Sequence, residues 1–292
     1  MTAQQKPDVK GFFDPVTATW SYVIWQEDGE DKNCAVIDSV LDYDLSSGRS
    51  RTDSADRVIA FIRQKGLAVQ WILETHIHAD HLTASQYIKR ELGGKTAISK
   101  HILKVLETWE PIFNSPDDTP RTGYQFDYLF VDDEEFRIGP FNAQMIYTPG
   151  HTPADTSYVI GDAVFVGDAL FLPDVGTGRC DFPGGSADDS YDSVQKILSL
   201  PDDTRIYVGH DYPPEGKRGP QCMATVAEQK SANIRVGKGV SKTAYVEKRN
   251  RDDIGKDVPH LLLPSIQVNL RAGDFGAATN GVQYVKLPVD KI

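Results

Sequence analysis

From residue 20 to residue 208 the chain repeats one pattern: a short apolar run, a polar turn, then a stretch with helical spacing. Residues 20–25, 35–38 and 69–74 are rich in β-branched and aromatic side chains and predict strands. Val58, Ile59, Phe61 and Ile62 share one face of a helix predicted over residues 54–64, which Gly66 ends. Leu82, Ile88 and Leu92 predict a second helix over 82–92, and His101 opens a helical run over 102–106. A second strand series begins near Tyr128 and continues at 144–147, 163–166 and 205–208, with a helix predicted over 191–200. Residues 109–125 show no period and read as a loop. After Tyr212, Pro, Gly and polar residues dominate, with modest helices predicted over 221–234 and 242–252. Two strand-rich halves, each closed by helices, predict an α/β fold in which two sheets pack face to face with helices outside.

The strands run into an unusual set of side chains. The run at 69–74 meets Thr75-His76-Ile77-His78-Ala79-Asp80-His81, three imidazoles and a carboxylate in a stretch too short to be a helix face. In an extended stretch alternate residues point the same way, so His76, His78 and Asp80 can converge, and His81 turns in as the helix begins. Pro149-Gly150 makes a tight turn that presents His151 at the end of another strand. Val166 leads to Asp168, and Val208 leads to His210. Taken singly, any of these is an ordinary core or capping residue, and Asp80 alone is a good helix N-cap. Four such strand ends, in a chain with seven histidines, point instead to one shared site. The C-terminal ends of strands are where α/β proteins place their chemistry. Neutral imidazoles with carboxylates are ligands for a borderline divalent metal such as zinc or iron(II). His101 and His260 fit no such setting and read as structural or surface residues.

Composition removes some functions. A net charge of −11, from 31 Lys and Arg against 42 Asp and Glu, argues against a nucleic-acid-binding face. No stretch approaches the ~20 apolar residues of a membrane span. Cys34, Cys180 and Cys222 form no CxxC pair and no even-numbered framework, which suits a reducing, cytoplasmic setting. Residues 1–7 carry neither an apolar signal core nor an Arg-rich amphipathic start.

The first motif, with Pro149-Gly150-His151-Thr152, Gly167-Asp168 and Gly209-His210-Asp211, resembles the metallo-β-lactamase superfamily over residues 20 to 212. Within it the chain looks most like the persulfide dioxygenases. That likeness rests on Leu82-Thr83-Ala84-Ser85, Ala169-Leu170-Phe171, Gly178-Arg179-Cys180-Asp181-Phe182, Tyr212, and Pro264-Ser265-Ile266-Gln267-Val268-Asn269-Leu270-Arg271. Glyoxalase II, a thioester hydrolase of the superfamily, shares the metal motifs but fits the last three less well. The resemblance implies a four-layer αββα catalytic domain over residues 1–212. It leaves 213–292 as a C-terminal extension packing near the pocket or at a subunit contact.

The resemblance also implies a reaction. In persulfide dioxygenases one iron(II) per chain is held by the residues matching His76, His151 and Asp168, which would form the catalytic centre. His78, Asp80, His81 and His210 then lie outside the metal and orient its ligands. Counting ligands alone, the chain could instead hold a pair of metals, with His76, His78 and His151 on one, Asp80, His81 and His210 on the other and Asp168 between them; the alternative to iron is one or two zinc ions. The implied substrates are glutathione persulfide and O2, giving sulfite and glutathione; the zinc alternative would hydrolyse a hydroxyacylglutathione. A homodimer and a rhodanese-type sulfur-transfer partner complete the expectation. Arg179, in a Gly-rich segment, is the candidate for holding the substrate's peptide part, unless it pairs with Asp181 or Asp174. Lys217 and Arg218 either attract the anionic substrate or are solvated; Tyr212 either hydrogen-bonds near the metal or packs. The loop at 172–178 is longer than in the mitochondrial-type pattern, with Thr177 where that group often has Cys. Cys180 is either a reactive thiol or a packed small hydrophobe.

Overall fold

The computed structural model describes residues 6–114, 119–213 and 216–291. Residues 1–5 of the N-terminal stretch read for a leader lie outside the described residues. So do 115–118 of the expected loop and 214–215 of the Pro/Gly-rich stretch.

Strands β1 (Asp8–Asp14), β2 (Thr19–Trp25) and β3 (Asn33–Ile37) pair antiparallel in sequence order. A hairpin of β4 (Val40–Asp44) and β5 (Arg49–Arg51) leads into helix α1 (Asp53–Lys65), which Gly66 ends in a left-handed conformation at φ +64°. Next, β6 (Ala68–Leu73) returns parallel to β3, and β7 (Leu82–Thr83) joins β4. Helix α2 (Ser85–Leu92), β8 (Lys95–Ser99), α3 (Ile102–Phe113) and β9 (Tyr128–Phe130) extend the sheet in parallel, to the order β1-β2-β3-β6-β8-β9.

The second half repeats the plan. Strands β10 (Glu135–Ile138), β11 (Phe141–Tyr147), β12 (Thr156–Ile160) and β13 (Ala163–Phe165) form an antiparallel meander. Helix α4 (Ala187–Leu198) crosses over to β14 (Arg205–Tyr207), parallel to β13, and β15 (Met223–Thr225) closes the edge. Helices α5 (Val226–Ala232), α6 (Lys242–Asp253) and α7 (Leu262–Asn269) follow.

Three cores make the layers visible. Tyr22, Ile24 and Leu73 of one sheet meet Met145, Tyr158 and Phe165 of the other. The outer face of the first sheet is covered by Val58 and Ile62 of α1 and Ile88 of α2. That of the second is covered by Val194 and Ile197 of α4 and Tyr245 of α6. This is the expected αββα sandwich. Residues beyond 212 belong to these same cores: Val268 of α7 packs with the first sheet, and Leu262 and Ile266 pack with α3.

Four elements differ from the expectation. Leu82 and Thr83 are extended, because they pair with Leu41 and Val40, and the helix starts only at Ser85. Residues 109–113, expected in a loop, continue α3 through Pro111, since Trp109 and Phe113 finish its buried stripe. That burial outweighs the ~3 kcal/mol cost of an interior proline. Residues 223–225 form an edge strand, and α5 begins behind a capping box of Thr225 and Glu228. Helix α7, absent from the expectation, is buried on nearly every side and so lacks the polar face that marks a helix in sequence.

Candidate metal centre

The first ligand turn is fixed at its root. Asp38, just beyond β3, accepts hydrogen bonds from the Thr75 amide and hydroxyl, each at 2.8 Å. His78 Nε2 lies 3.1 Å from both Asp38 and Glu74, which leaves Nδ1 on the other side of the ring. His76 Nδ1 lies 3.0 Å from Thr75 Oγ1, and His81 Nδ1 lies 3.2 Å from Asp80. Each histidine therefore has one ring nitrogen engaged and one turned inward. His151 donates from Nδ1 to the Arg179 carbonyl at 2.7 Å, so its tautomer leaves the Nε2 lone pair free, 3.5 Å from Asp168.

Asp168 sits among close backbone approaches. Gly167 (φ +49°) lies so near Thr75 that a Cβ there would be 2.4 Å from its hydroxyl, and a Cβ on Gly178 would be 2.1 Å from the Asp168 carbonyl. His210 Nε2 lies 3.4 Å from Asp168 and 3.5 Å from Asp80. Its turn is tied to β2 through Trp20 N–H to Gly209 O (2.8 Å) and to the residue before that strand through Asp211 N–H to Ala18 O (3.1 Å).

These turns bring the expected residues together. Donor atoms of His76, His151 and Asp168 lie within 4.8 Å of one another, as do those of His78, Asp80 and His81. His76 Nε2, His78 Nδ1, His81 Nε2 and Asp168 Oδ1 are buried polar atoms without a hydrogen-bond partner. Each such atom costs about 1–3 kcal/mol if left unpaired. A divalent cation between His76, His151 and Asp168 would satisfy His76 Nε2 and Asp168 Oδ1, so these residues fit a metal. Burial, reinforced by His78 and His151, holds His76 well below the ordinary imidazole range, as a neutral ligand requires. Burial would also lower His210, but Asp168 and Asp80 outweigh it and hold it up.

A cleft of about 410 Å³ opens over the site. Its lining includes Asp80, His151 and Asp168, the aromatic Phe171, Phe182 and Tyr212, and the cations Arg179, Arg235, Arg249 and Lys256. Arg179 is at the cleft, but its guanidinium forks onto Asp181 at 2.6 Å and donates to the Asp257 carbonyl at 2.7 Å. The Asp181 pairing is therefore present, and it ties the 179–181 turn to the segment after α6. Lys217 and Arg218 do not line the cleft, which corrects the idea that they draw substrate in. Arg218 forks between Asp174 and Asp211, and Lys217 is exposed to solvent. Tyr212 packs, its ring stacked on His210 at 5.8 Å and edge-on to Phe171. Cys180 is buried, and burial pushes its thiol up to about 12, so it is a packed residue. His101 is held by Asp132 at 2.8 Å and stacks on Tyr147.

No site role was expected of Asp38, Glu74 or Asn269. Asp38 carried the same signal as Asp168, an apolar strand running into a carboxylate. Glu74 lies one helical-type step (i, i+4) before His78. Asn269 lies in the Pro264–Arg271 stretch that carries the resemblance, but nothing local tied it to the ligand turn.

Residues 14–210 match the metallo-beta-lactamase superfamily, and the chain belongs to it. Glyoxylase B2 of Dictyostelium discoideum is 46% identical over 288 residues, covering 98% of each chain. The human mitochondrial persulfide dioxygenase ETHE1 is 31% identical over 231 residues, covering 78% of this chain and 75% of its own. Among solved structures, ETHE1 from Myxococcus xanthus shares the fold with a TM-score of 0.71 and 28% identity, over 91% of this chain and all of that one.

Proposed function

We propose that the chain is an iron(II)-dependent persulfide dioxygenase acting on glutathione persulfide. The observation that carries this reading is the cluster of His76, His151 and Asp168, with donor atoms within 4.8 Å and two of the three residues lining the cleft. Two imidazoles and one carboxylate are the ligand set of non-haem iron(II) oxygenases, which leave positions open for substrate. A relative named a persulfide dioxygenase, 31% identical, supports that use of the set here. Bound iron(II) would supply the activation of dioxygen. Overall, glutathione persulfide, O2 and water give glutathione, sulfite and two protons.

The protein's share is orientation and exclusion. The Arg179 carbonyl holds His151 in the ligating tautomer, and His210, itself held by Asp80, braces Asp168. Phe171, Phe182 and Tyr212 wall the cleft and restrict water. Arg179, Arg235 and Lys256 line the same cleft and would favour the carboxylates of a glutathione moiety, although each also pairs with an aspartate.

Protein purified without added metal should contain one iron per chain and consume one O2 per persulfide. The second reading, a zinc hydrolase of a hydroxyacylglutathione, is favoured by a specific observation. His78 Nδ1 and His81 Nε2 also lack partners, and with Asp80 they could hold a second metal. Two zinc ions, no oxygen uptake and thioester cleavage would establish it in place of the dioxygenase. A homodimer and a rhodanese-type sulfur donor belong to the first reading, checked by sedimentation and by coupled sulfur transfer. No helix of the described residues is long and apolar enough to cross a membrane.

A further inference from the structure

The turn carrying His78, Asp80 and His81 is held from its outer side by a residue far along the chain. Asn269, at the end of α7, is 1% exposed and makes three side-chain hydrogen bonds to this turn. Its Nδ2 donates to the carbonyls of His78 and His81, both at 2.8 Å, and its Oδ1 accepts from the Thr83 amide at 2.8 Å. Donors meet acceptors at every contact, so the amide has one orientation. Three backbone groups of a buried turn depend on it for these partners. Beyond α7, Gly273 (φ +96°) passes so close that a Cβ there would lie 2.9 Å from the Thr83 carbonyl, which seats the end of the helix on the turn.

We infer that Asn269 is a positioning residue of the metal centre. By bracketing His78 O, His81 O and Thr83 N, it sets the backbone curvature that turns His78, Asp80 and His81 toward the ion. The C-terminal helix is thereby part of the site. This rests on the proposed metal centre, beside which the turn lies in the iron reading and to which it supplies ligands in the zinc reading.

The test uses the full-length chain. Asn269→Asp keeps the acceptor for Thr83 but sets oxygen against two carbonyls; Asn269→Ser removes the amide without adding charge. Apo-protein is titrated with Co(II) against a chromophoric chelator, and its melting temperature is measured in parallel. Val268→Ala, a core truncation one residue away, is the control for stability alone. The expected result is Co(II) affinity weakened about 10- to 100-fold in both Asn269 variants, with altered d–d band intensities. Val268→Ala should melt lower yet keep the parent's affinity. Parent-like affinity in the Asn269 variants, or an equal loss in Val268→Ala, would overturn the inference.

Should both variants fail to fold, hydrogen exchange on the unmodified apo-protein decides. The Thr83 amide should be protected as strongly as the amides of α7. Open-chain exchange at Thr83 beneath a protected α7 would overturn the proposal. A parent chain that takes up no Co(II) would instead defeat the metal-centre reading on which this rests.

Discussion

At the scale of single residues, ligand geometry here is set by what each side chain does with its other polar atom. His76 and Asp168 offer buried, unpaired atoms to the centre, so His76→Ala or Asp168→Ala should reduce bound metal at least about tenfold. Apo-protein melting should stay within a few degrees of the parent, as read by metal analysis and calorimetry. Arg179→Ala removes a cleft cation and its fork to Asp181, yet leaves the Arg179 carbonyl that holds His151. KM for the persulfide should rise about tenfold, the worth of one charge-assisted hydrogen bond, with metal content unchanged. Away from the site, Asp127 bridges Lys89 and the Thr96 amide and hydroxyl. Burial raises its carboxyl, but Lys89 and Thr96 outweigh this and hold it below the usual range. The folded state thus binds its proton less readily, so the pair's stabilisation is present above about pH 4 and fades as pH falls through the lowered value. Asp127→Asn should cost about 0.5–1 kcal/mol at pH 7, given the partial solvent screening, and less at pH 3.5, by urea unfolding. The ligands themselves were legible because apolar strands mark where chains surface, and His or Asp at that point has few other reasons to be there. The tie of Asn269 to the ligand turn was not, because its partners lie about 190 residues away, at His78 (191) and His81 (188).

At the scale of elements, α6 acts as a clamp on the cleft wall. Tyr245, Arg249 and Asp253 follow one another at helical spacing and all face the 177–180 loop. Tyr245 joins Thr177 (3.0 Å) to Ser190 (2.8 Å), Arg249 donates to the Thr177 carbonyl, and Asp253 accepts from the Cys180 amide (2.9 Å). Arg249 is 2% exposed and forks onto Asp253, so Asp253→Ala strands a buried guanidinium. Such losses cost about 3–5 kcal/mol, to be seen as a lower urea midpoint with unchanged slope. Helix α6 was legible in outline, and the capping box at Thr225 was there to be read as the true start of α5. The extended pair at Leu82 and Thr83 was not, since two residues carry no period and only pairing with β4 makes them a strand.

At the scale of the whole molecule, the site depends on two sheets being held in register. Its ligand turns follow β6 of the first sheet and β11, β13 and β14 of the second. Hydrogen bonds cross between the layers beside them: Tyr158 OH to Glu74 O (2.9 Å), Thr156 N–H to Thr75 O (2.9 Å) and Tyr22 OH to Val208 O (2.6 Å). Each half of the fold could be anticipated from its own pattern, but this stitching could not, because every acceptor in it is a backbone carbonyl of the other layer, which leaves no trace in residue type. Metal bound only by the folded state should raise melting with ligand concentration, by about 4 kcal/mol at a thousandfold excess over Kd. Chelation should reverse the shift, as followed by calorimetry.

The arrangement of His76 on one sheet with His151 and Asp168 on the other carries a mechanical consequence. An ion gripped by all three is a rivet through both layers, closing a long stretch of polypeptide as a cross-link would. Stripping it should let the halves breathe apart at this seam first, so limited proteolysis of demetallated protein ought to begin in the turns beside His151 and His210 while the distant sheet edges stay intact.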